Sequence, residues 1–426
     1  METEAGGRGP GSGRKKRKRA LLEAAAGGRA AGNQGPQPGA GEDEDEGAAE
    51  DRISQIPDAV LGEIVSLLST KDGARTQVLA SRWRHLWRSA PLNLDCGGLL
   101  PILTHHSDLD RLVSRILAAH TGPGRRLCAP WRNGRKAGKL ESWLRSPALD
   151  NLEELEFNNP TGSLSRLPAS ASRFAATLRL VRIELCHLPG DAVQSLHFPQ
   201  LKHLALVKAV ISEGALGSLI AGCPALECLL LRYISGLRRA WISTPRIRSI
   251  GVIALVGWNS MGMPNLDEVV IENTPSLERL LHFNLRDDLR VSVIDAPNLE
   301  TFCIVQNDRF SFDRIVEGRR ITGVANIGTF ISHCLDTHLK TIVLESYRGV
   351  LPEVNFAAFF ALNARVLEFQ VKTIDEEFIA KQRRLLQVEN RASRGAEFHF
   401  TDDTCLRDIW DIRHVRDLDL TDPFVR

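Results

Sequence analysis

The residues that could do chemistry are few and widely spaced in this chain of 426 residues. The segment His105–Asp108 places two histidines, a serine and an aspartate side by side, but no nucleophile stands in a recognisable setting there, which favours a polar loop. Glu153-Glu154 and Asp287-Asp288 are adjacent carboxylates. Because adjacent side chains of a strand point to opposite faces, neither pair suits acid–base catalysis. We therefore predict that the chain has no catalytic residues.

The cysteines do not form a metal-ligand pattern. Cys223 and Cys228 are the closest pair of the eight, and no second close Cys or Cys/His pair accompanies them. Several cysteines stand in apolar runs, as expected for small buried side chains that stay reduced. The chain also lacks a glycine-rich phosphate loop, a Gly-x-Ser-x-Gly elbow and a His-Glu-x-x-His motif. We expect neither a metal nor a cofactor.

The composition excludes several classes of partner. With 43% apolar residues, 25% charged residues and a net charge of +2, the chain has no chain-wide basic field for specific nucleic-acid binding. No apolar run approaches the ~20 residues that cross a bilayer, and Met1–Gly13 lacks the apolar core of a secretory signal. We expect two or more structural units, no membrane association, and a location in the nucleus and/or cytoplasm.

Residues 1–50 form an arm rich in glycine, alanine and charge. The arm offers too little apolar surface to offset the entropy of ordering, so we predict that it is disordered. An acidic block spans Glu42–Glu46, and a basic block has the composition of a nuclear import signal: Arg14, Lys15, Lys16, Arg17, Lys18 and Arg19. Nonspecific contact with phosphates and a solvated tail without a role are the alternatives.

The elements that would position a binding site begin at Asp51, where three short helices are predicted. One apolar stripe of the first helix has members at i, i+3, i+4 and i+7: Leu61, Ile64, Val65 and Leu68. Pro57 suits the first turn of that helix, and the second helix can start at Ser69 or Thr70. So small a module is near the lower limit for an independent core, which predicts that part of its apolar side is reserved for a partner.

A second pattern, apolar-x-x-apolar-x-apolar, recurs after about residue 150. Five successive copies start at 180, 201, 226, 247 and 266, at intervals of 19 to 25 residues, close to the roughly 20–29-residue period of leucine-rich repeats. The last copy is Val415/Leu418/Leu420. Each unit is interpreted as a strand with a return segment, whose leucines are buried by stacking on neighbours. An ordinary α/β domain with parallel strands is the alternative. Residues 96–140 match poorly, and Cys128–Lys139 is hard to place as a strand.

Several short sequence motifs resemble those of a known protein family. Those of residues 51–95 resemble the F-box of plant proteins: Asp51-Arg52-Ile53-Ser54, Ile56-Pro57-Asp58, Thr70-Lys71-Asp72 and Ala80-Ser81-Arg82-Trp83-Arg84-His85-Leu86-Trp87. Ile56, Ala80 and Gly73 depart from the usual pattern, and Gly73 weakens its helix by ~1 kcal/mol relative to alanine. Phe198–Leu206 and Ser218–Glu227 are similar to the repeats of plant F-box proteins, and His338–Leu344 and Phe359–Leu367 to their C-terminal FBD region.

The resemblance implies an α/β fold class, in which a small three-helix F-box module is followed by an irregular leucine-rich-repeat solenoid. The expected boundaries are a disordered charged arm at 1–50, the F-box at 51–95, leucine-rich repeats at 96–335 and FBD-like repeats at 336–426. The implied function is that of a non-catalytic subunit of a cullin-type (SCF) ubiquitin ligase, which binds a Skp-type adaptor, and through it a cullin, and recruits a target protein.

The residues implied to contact the adaptor are Ile56, Pro57, Leu61, Ile64, Val78, Leu79, Trp83, Leu86 and Trp87. For Leu61 and Leu86, a place in the module's own core is an equal alternative.

The target is expected on the concave face of the repeats, where side chains between the buried leucines point outward. The candidates at such positions are Lys202, His203, Ala205, Glu227, Cys228, Arg248, Ser249, Asp267 and Glu268. An alternative function, suggested by the basic arm, is that of a nuclear leucine-rich-repeat scaffold or regulator with no ubiquitin-ligase role.

Overall fold

A computed structural model describes most of the chain from residue 53 to residue 418. The described residues are 53, 55–99, 106–130, 137–158, 164–255, 262–285, 289–306, 341–345, 347, 349, 354, 357–358, 366–371, 375–386, 397–402, 415–416 and 418. The basic block Arg14–Arg19, predicted as an import signal, lies outside them. Within this part of the chain, none of the helices combines the length and the apolar character needed to cross a membrane.

Three short helices open the described part of the chain, as the sequence predicts: α1 (Asp58–Leu67), α2 (Thr70–Arg75) and α3 (Ser81–Ser89). Ser69 caps α2, since its side chain accepts a hydrogen bond of 3.2 Å from the Asp72 N–H. The single apolar stripe predicted for α1 is wrong. Leu61 and Val65 are buried, whereas Ile64 is exposed, because the helix has a second apolar row on its outer side.

A parallel sheet of twelve described strands follows the helices, and its strands stand side by side in chain order. The strands of this main sheet are β1 (Leu92–Asp95), β2 (Gly124–Pro130), β3 (Glu154–Asn158), β5 (Leu180–Glu184), β7 (His203–Val207), β9 (Cys228–Arg232), β11 (Ser249–Leu255), β13 (Arg279–Leu285), β15 (Thr301–Gln306), β16 (Thr341–Glu345), β17 (Val366–Val371) and β18 (Glu397–Asp402). The expectation that Cys128–Lys139 is hard to place as a strand is wrong for Cys128–Pro130, because β2 pairs with both β1 and β3.

Short strands between the main strands form two further parallel sheets. One contains β4 (Ser165–Arg166), β6 (Cys186–Leu188) and β8 (Val210–Ile211), and the other β10 (Arg239–Ile242), β12 (Glu268–Ile271) and β14 (Arg290–Val293). The pattern that starts at Leu266 therefore belongs to β12 and not to the main sheet. The sequence missed the main strand β13, because the chain alternates between two sheets and both require similar apolar spacing.

Helices complete the return segments. Those described are α4 (Cys96–Leu99), α5 (His106–Ala119), α6 (Ala137–Leu144), α7 (Gly190–Gln194), α8 (Glu213–Ala221) and α9 (Glu376–Leu385). Ser212 caps α8 by accepting a hydrogen bond of 3.3 Å from the Ala215 N–H. The result is a mixed α/β fold.

The continuous core lies along one face of the main sheet. In β9, Leu229 and Leu231 belong to this core, whereas Leu230 between them is also buried but lies outside it. Because alternate side chains of a strand point to opposite faces, β9 is covered on both sides.

Candidate functional site

Large apolar side chains are exposed on the N-terminal helical segment. Val60, Ile64 and Leu67 follow one another at i, i+4 and i+7 on the outer side of α1, and Val78 and Leu79 precede α3. Leu67 is 69% exposed and Val78 is 84% exposed. We call these five residues the exposed helical set. The segment buries Leu61, Val65 and Leu86 instead, so its inner side is already filled.

The residues predicted to contact the adaptor fall into three groups. Pro57, Ile64, Val78 and Leu79 are exposed, and Ile56, Trp83 and Trp87 are half-buried. Leu61 and Leu86 are 1% and 6% exposed, which corrects their assignment as contacts: both are core residues. Val60 and Leu67 were missed, although their spacing with Ile64 could have been recognised.

Trp87 packs inward against the repeats. Its ring meets the ring of His120 edge-on, with centroids 5.9 Å apart. A side chain at Gly73 would begin 3.1 Å from the Trp87 ring, so the glycine that departs from the F-box pattern makes room for this indole. His120 shares a hydrogen bond of 2.8 Å between Nε2 and the Ala90 carbonyl, and burial lowers the pKa of its imidazole.

Polar contacts fix the helices to the first two strands. The Thr70 hydroxyl donates to the Asn93 carbonyl (2.9 Å) and accepts from the Asp95 N–H (2.6 Å). Arg125, in β2, donates to the Ser66 hydroxyl (2.6 Å) and pairs with Glu63 (3.0 Å). Because these contacts join α1 and α2 to β1 and β2, the helical segment has a fixed orientation on the start of the sheet.

A row of charged residues lies just before consecutive strands of the main sheet. We call it the charged ladder: Glu153, Arg179, Lys202, Glu227, Arg248, Glu278 and Glu300. The N–H of each later member donates to the carbonyl of the member before it. Lys202 Nζ lies 2.7 Å from Glu227, and the Arg248 guanidinium donates two bonds of 3.0 Å to Glu278. A groove of about 840 Å³ runs along the ladder from Lys202 to Glu300.

Four of the residues predicted to bind the target lie on the charged ladder or beside it. Lys202 and Arg248 are exposed on the ladder, and Glu227 and His203 are half-buried beside them.

Two corrections concern the other target candidates. Ala205, Cys228 and Ser249 are buried although they lie outside the continuous core, so the structure offers no open surface at these positions. Asp267 and Glu268 lie at the start of β12, in a different sheet, where they pair with Arg238 (3.3 Å) and Arg239 (2.7 Å).

The main sheet also carries buried charges that the sequence did not single out. Arg126 pairs with Glu156 (2.8 Å), and Arg182 pairs with Glu184 (3.0 Å) and donates to Asn158. Such paired charges are compensated and need no ligand. Burial raises the pKa of the neighbouring Cys128 thiol to about 12, which keeps it protonated and unreactive. Among the described residues, no group of three or more His, Cys, Asp or Glu side chains is arranged to hold a metal ion.

Comparison with protein-family models gives two matches. Residues 140–318 match the family model described as "FBD-associated F-box protein At5g56370, LRR repeats", which assigns leucine-rich repeats to that part of the chain. Residues 329–369 match the FBD model.

Relatives in Arabidopsis thaliana agree with both matches. The F-box/FBD/LRR-repeat protein At1g13570 is 29% identical over 54% of this chain and 53% of its own length. The putative FBD-associated F-box protein At5g56440 is 30% identical over 58% of each chain. The chain thus spans little more than half the length of these relatives. These matches support the resemblance, seen in the sequence, to plant F-box/leucine-rich-repeat proteins with an FBD region.

Proposed function

We propose that this chain recruits a target protein to a cullin-type (SCF) ubiquitin ligase. In this function the three N-terminal helices act as the F-box module and bind a Skp-type adaptor, while the parallel strands act as a leucine-rich solenoid that binds the target. The chain performs no bond chemistry itself. Its contribution is to raise the effective concentration of the target near the ubiquitin-charged enzyme.

The exposed helical set is the observation that carries this proposal. Fully burying one aliphatic side chain of this size is worth roughly 1.5–3 kcal/mol. Leu67 and Val78 gain only a minor part of this within the chain, because both are largely exposed. An exposed apolar row such as that of Val60, Ile64 and Leu67 marks interaction sites on soluble proteins. A protein partner that covers these side chains would use them as anchors.

The junction between the helices and the sheet supports the same function. Thr70 and Arg125 fix α1 and α2 to the first strands. A rigid junction sets the distance between an adaptor on the helices and a target on the repeats. With a flexible joint, the effective concentration would be spread over many orientations.

The test measures capture of a purified Skp-type adaptor by the full chain. Val78→Glu combined with Leu79→Glu places two charges in the exposed helical set. We expect a loss of at least ~30-fold in affinity, the effect of truncating a hot spot of about 2 kcal/mol, with no change in thermal unfolding. Gln194→Glu combined with Gln200→Glu is the matched control, since both glutamines are exposed on the repeats.

Two outcomes would contradict the proposal. One is that the wild-type chain never binds the adaptor, as expected of a scaffold without a ubiquitin-ligase role. The other is that the Val78/Leu79 variant binds as tightly as the wild type, because the helices would then use another surface or none.

A further inference from the structure

The main sheet has an apolar row on the face opposite the core. Ala205, Leu230, Gly251 and Leu281 are aligned in register across β7, β9, β11 and β13. All four are buried, and none belongs to the continuous core. Apolar side chains on this face could not be buried if it were open to solvent. Another part of the chain therefore covers the row.

A C-terminal turn covers the row at Gly251. Leu418 is 0% exposed, and a Cβ added to Gly251 would lie 2.6 Å from its Cδ2 atom and 3.1 Å from Leu230 Cδ1. The Leu418 side chain thus fills the depression left by the missing side chain at position 251. Val415 is also fully buried, and its carbonyl accepts a hydrogen bond of 3.2 Å from the Leu418 N–H, which closes the turn.

An acidic residue lies at the other end of this contact. Arg416 pairs with Glu154, the first residue of β3. The Glu154 side chain is only 14% exposed, and its Oε2 atom is buried without a hydrogen bond, although Arg126 approaches it to 3.6 Å. Arg416 donates to the other oxygen, Oε1, and a largely buried carboxylate favours cationic partners of this kind. The depression at Gly251 and the carboxylate of Glu154 together select a leucine and a basic residue.

We propose that this face is a binding groove for a peptide segment of the form basic-x-leucine, which the chain's own Arg416 and Leu418 occupy until a target segment of the same chemistry displaces them. The inference rests on the proposed function, since it assigns the recognition chemistry of the target. Among the described residues, the turn contributes two buried apolar side chains and an ion pair whose arginine is half-exposed, and an exposed ion pair adds little free energy. A contact of this size permits reversible release.

The experiment uses the full chain with Arg416→Ala and Leu418→Asp, here called the released variant. The probe is a fluorescein-labelled peptide with the sequence of residues 411–422, measured by fluorescence anisotropy. We expect the released variant to bind the peptide, and the wild type to bind it at least ~10-fold more weakly, because the tethered segment competes at high effective concentration.

Two further variants test the recognition chemistry. Gly251→Val in the released variant fills the depression and should abolish binding. Glu154→Arg in the released variant should reject the peptide but accept a peptide carrying Arg416→Glu. Rescue by charge exchange requires a folded groove, so it separates recognition from misfolding.

The inference is overturned if the released variant does not bind the peptide, or if a peptide with Leu418→Asp binds equally well. A wild-type dimer that disappears with Leu418→Asp in light scattering would also overturn it, since the segment would then occupy a second copy. Adaptor capture by the same variants keeps the two proposals apart: a released variant that binds adaptor but no peptide contradicts only the groove.

Discussion

Two apolar surfaces of this chain face away from its core, and one of them is exposed to solvent whereas the other is covered. The exposed helical set leaves Val78 and Leu67 in solvent. The apolar row of the main sheet, which includes Leu230 and Gly251, is buried, and Leu418 packs on it at Gly251. A bare apolar surface costs free energy at all times and can be occupied without any rearrangement. A covered surface costs nothing until a competitor displaces the cover.

This difference implies two kinds of binding. A partner of the helices meets a ready surface, and its affinity depends on complementarity alone. A partner of the sheet face must in addition compete with the tethered turn, which lowers its apparent affinity. In the proposed function, the adaptor would therefore bind constitutively, whereas the target would bind only if its segment outcompetes Arg416 and Leu418.

The largest expected effect is a difference in the free energy of unfolding between substitutions on the two faces of α1. Leu61→Ala removes a core side chain and should lower the free energy of unfolding by about 2–5 kcal/mol. Leu67→Ala, on the exposed side, should change it by less than ~0.5 kcal/mol while weakening adaptor capture. Urea denaturation measures the first quantity and adaptor capture the second. If Leu67→Ala destabilised the fold as strongly as Leu61→Ala, the exposed helical set would be structural, and the comparison would fail.

The helices show how far sequence reasoning reaches. Spacing and capping residues predicted α1, α2 and α3, and Ser69 caps α2 as expected. Spacing did not reveal which apolar residues of α1 face inward, because Leu61 and Ile64 are both compatible with one stripe of a helix. The choice depends on what packs against the helix. Gly73 is similar: its cost to helix stability is visible in the sequence, but the indole that needs its space is not.

The repeats were predictable as strands but not as sheets. The copies that start at 247 and 266 have the same spacing, yet the first belongs to β11 and the second to β12 of another sheet. The copy Val415/Leu418/Leu420 was interpreted as a further strand, and this is wrong for its described residues: residues 415 and 416 form a turn, and Leu418 packs on Gly251. Apolar spacing indicates that a residue is buried. It does not indicate which part of the chain the residue packs against, because tertiary contacts determine that.

A smaller difference in global stability is expected between substitutions on the two sides of the main sheet. Leu229→Ala opens a cavity in the continuous core and should cost about 2–5 kcal/mol of global stability. Leu418→Ala should cost no more than ~1–2 kcal/mol, because the turn can detach while the sheet remains folded. Urea denaturation measures both values, and faster trypsin cleavage after Arg416 reports the detached turn. Equal losses of global stability would mean that the turn is an integral part of the core.

The smallest expected effect lies on the charged ladder. Arg248 and Glu278 are joined by two hydrogen bonds, but their side chains are 55% and 38% exposed. Solvent screens exposed pairs, so a double-mutant cycle with Arg248→Ala and Glu278→Ala should give a coupling of about 0.2–1 kcal/mol, and less at high salt. A coupling above ~2 kcal/mol would assign the ladder to stability.

With a weak coupling, the ladder is free to be used for recognition, and target capture then decides between two sites on the same repeats. Arg248→Glu in the ladder and Gly251→Val in the groove should be compared for capture of the same target, with adaptor capture as the control. If only Gly251→Val abolishes capture, the covered groove is the target site and the contrast with the bare helices holds. If only Arg248→Glu does, the target binds an open, charged surface, and neither partner has to displace anything.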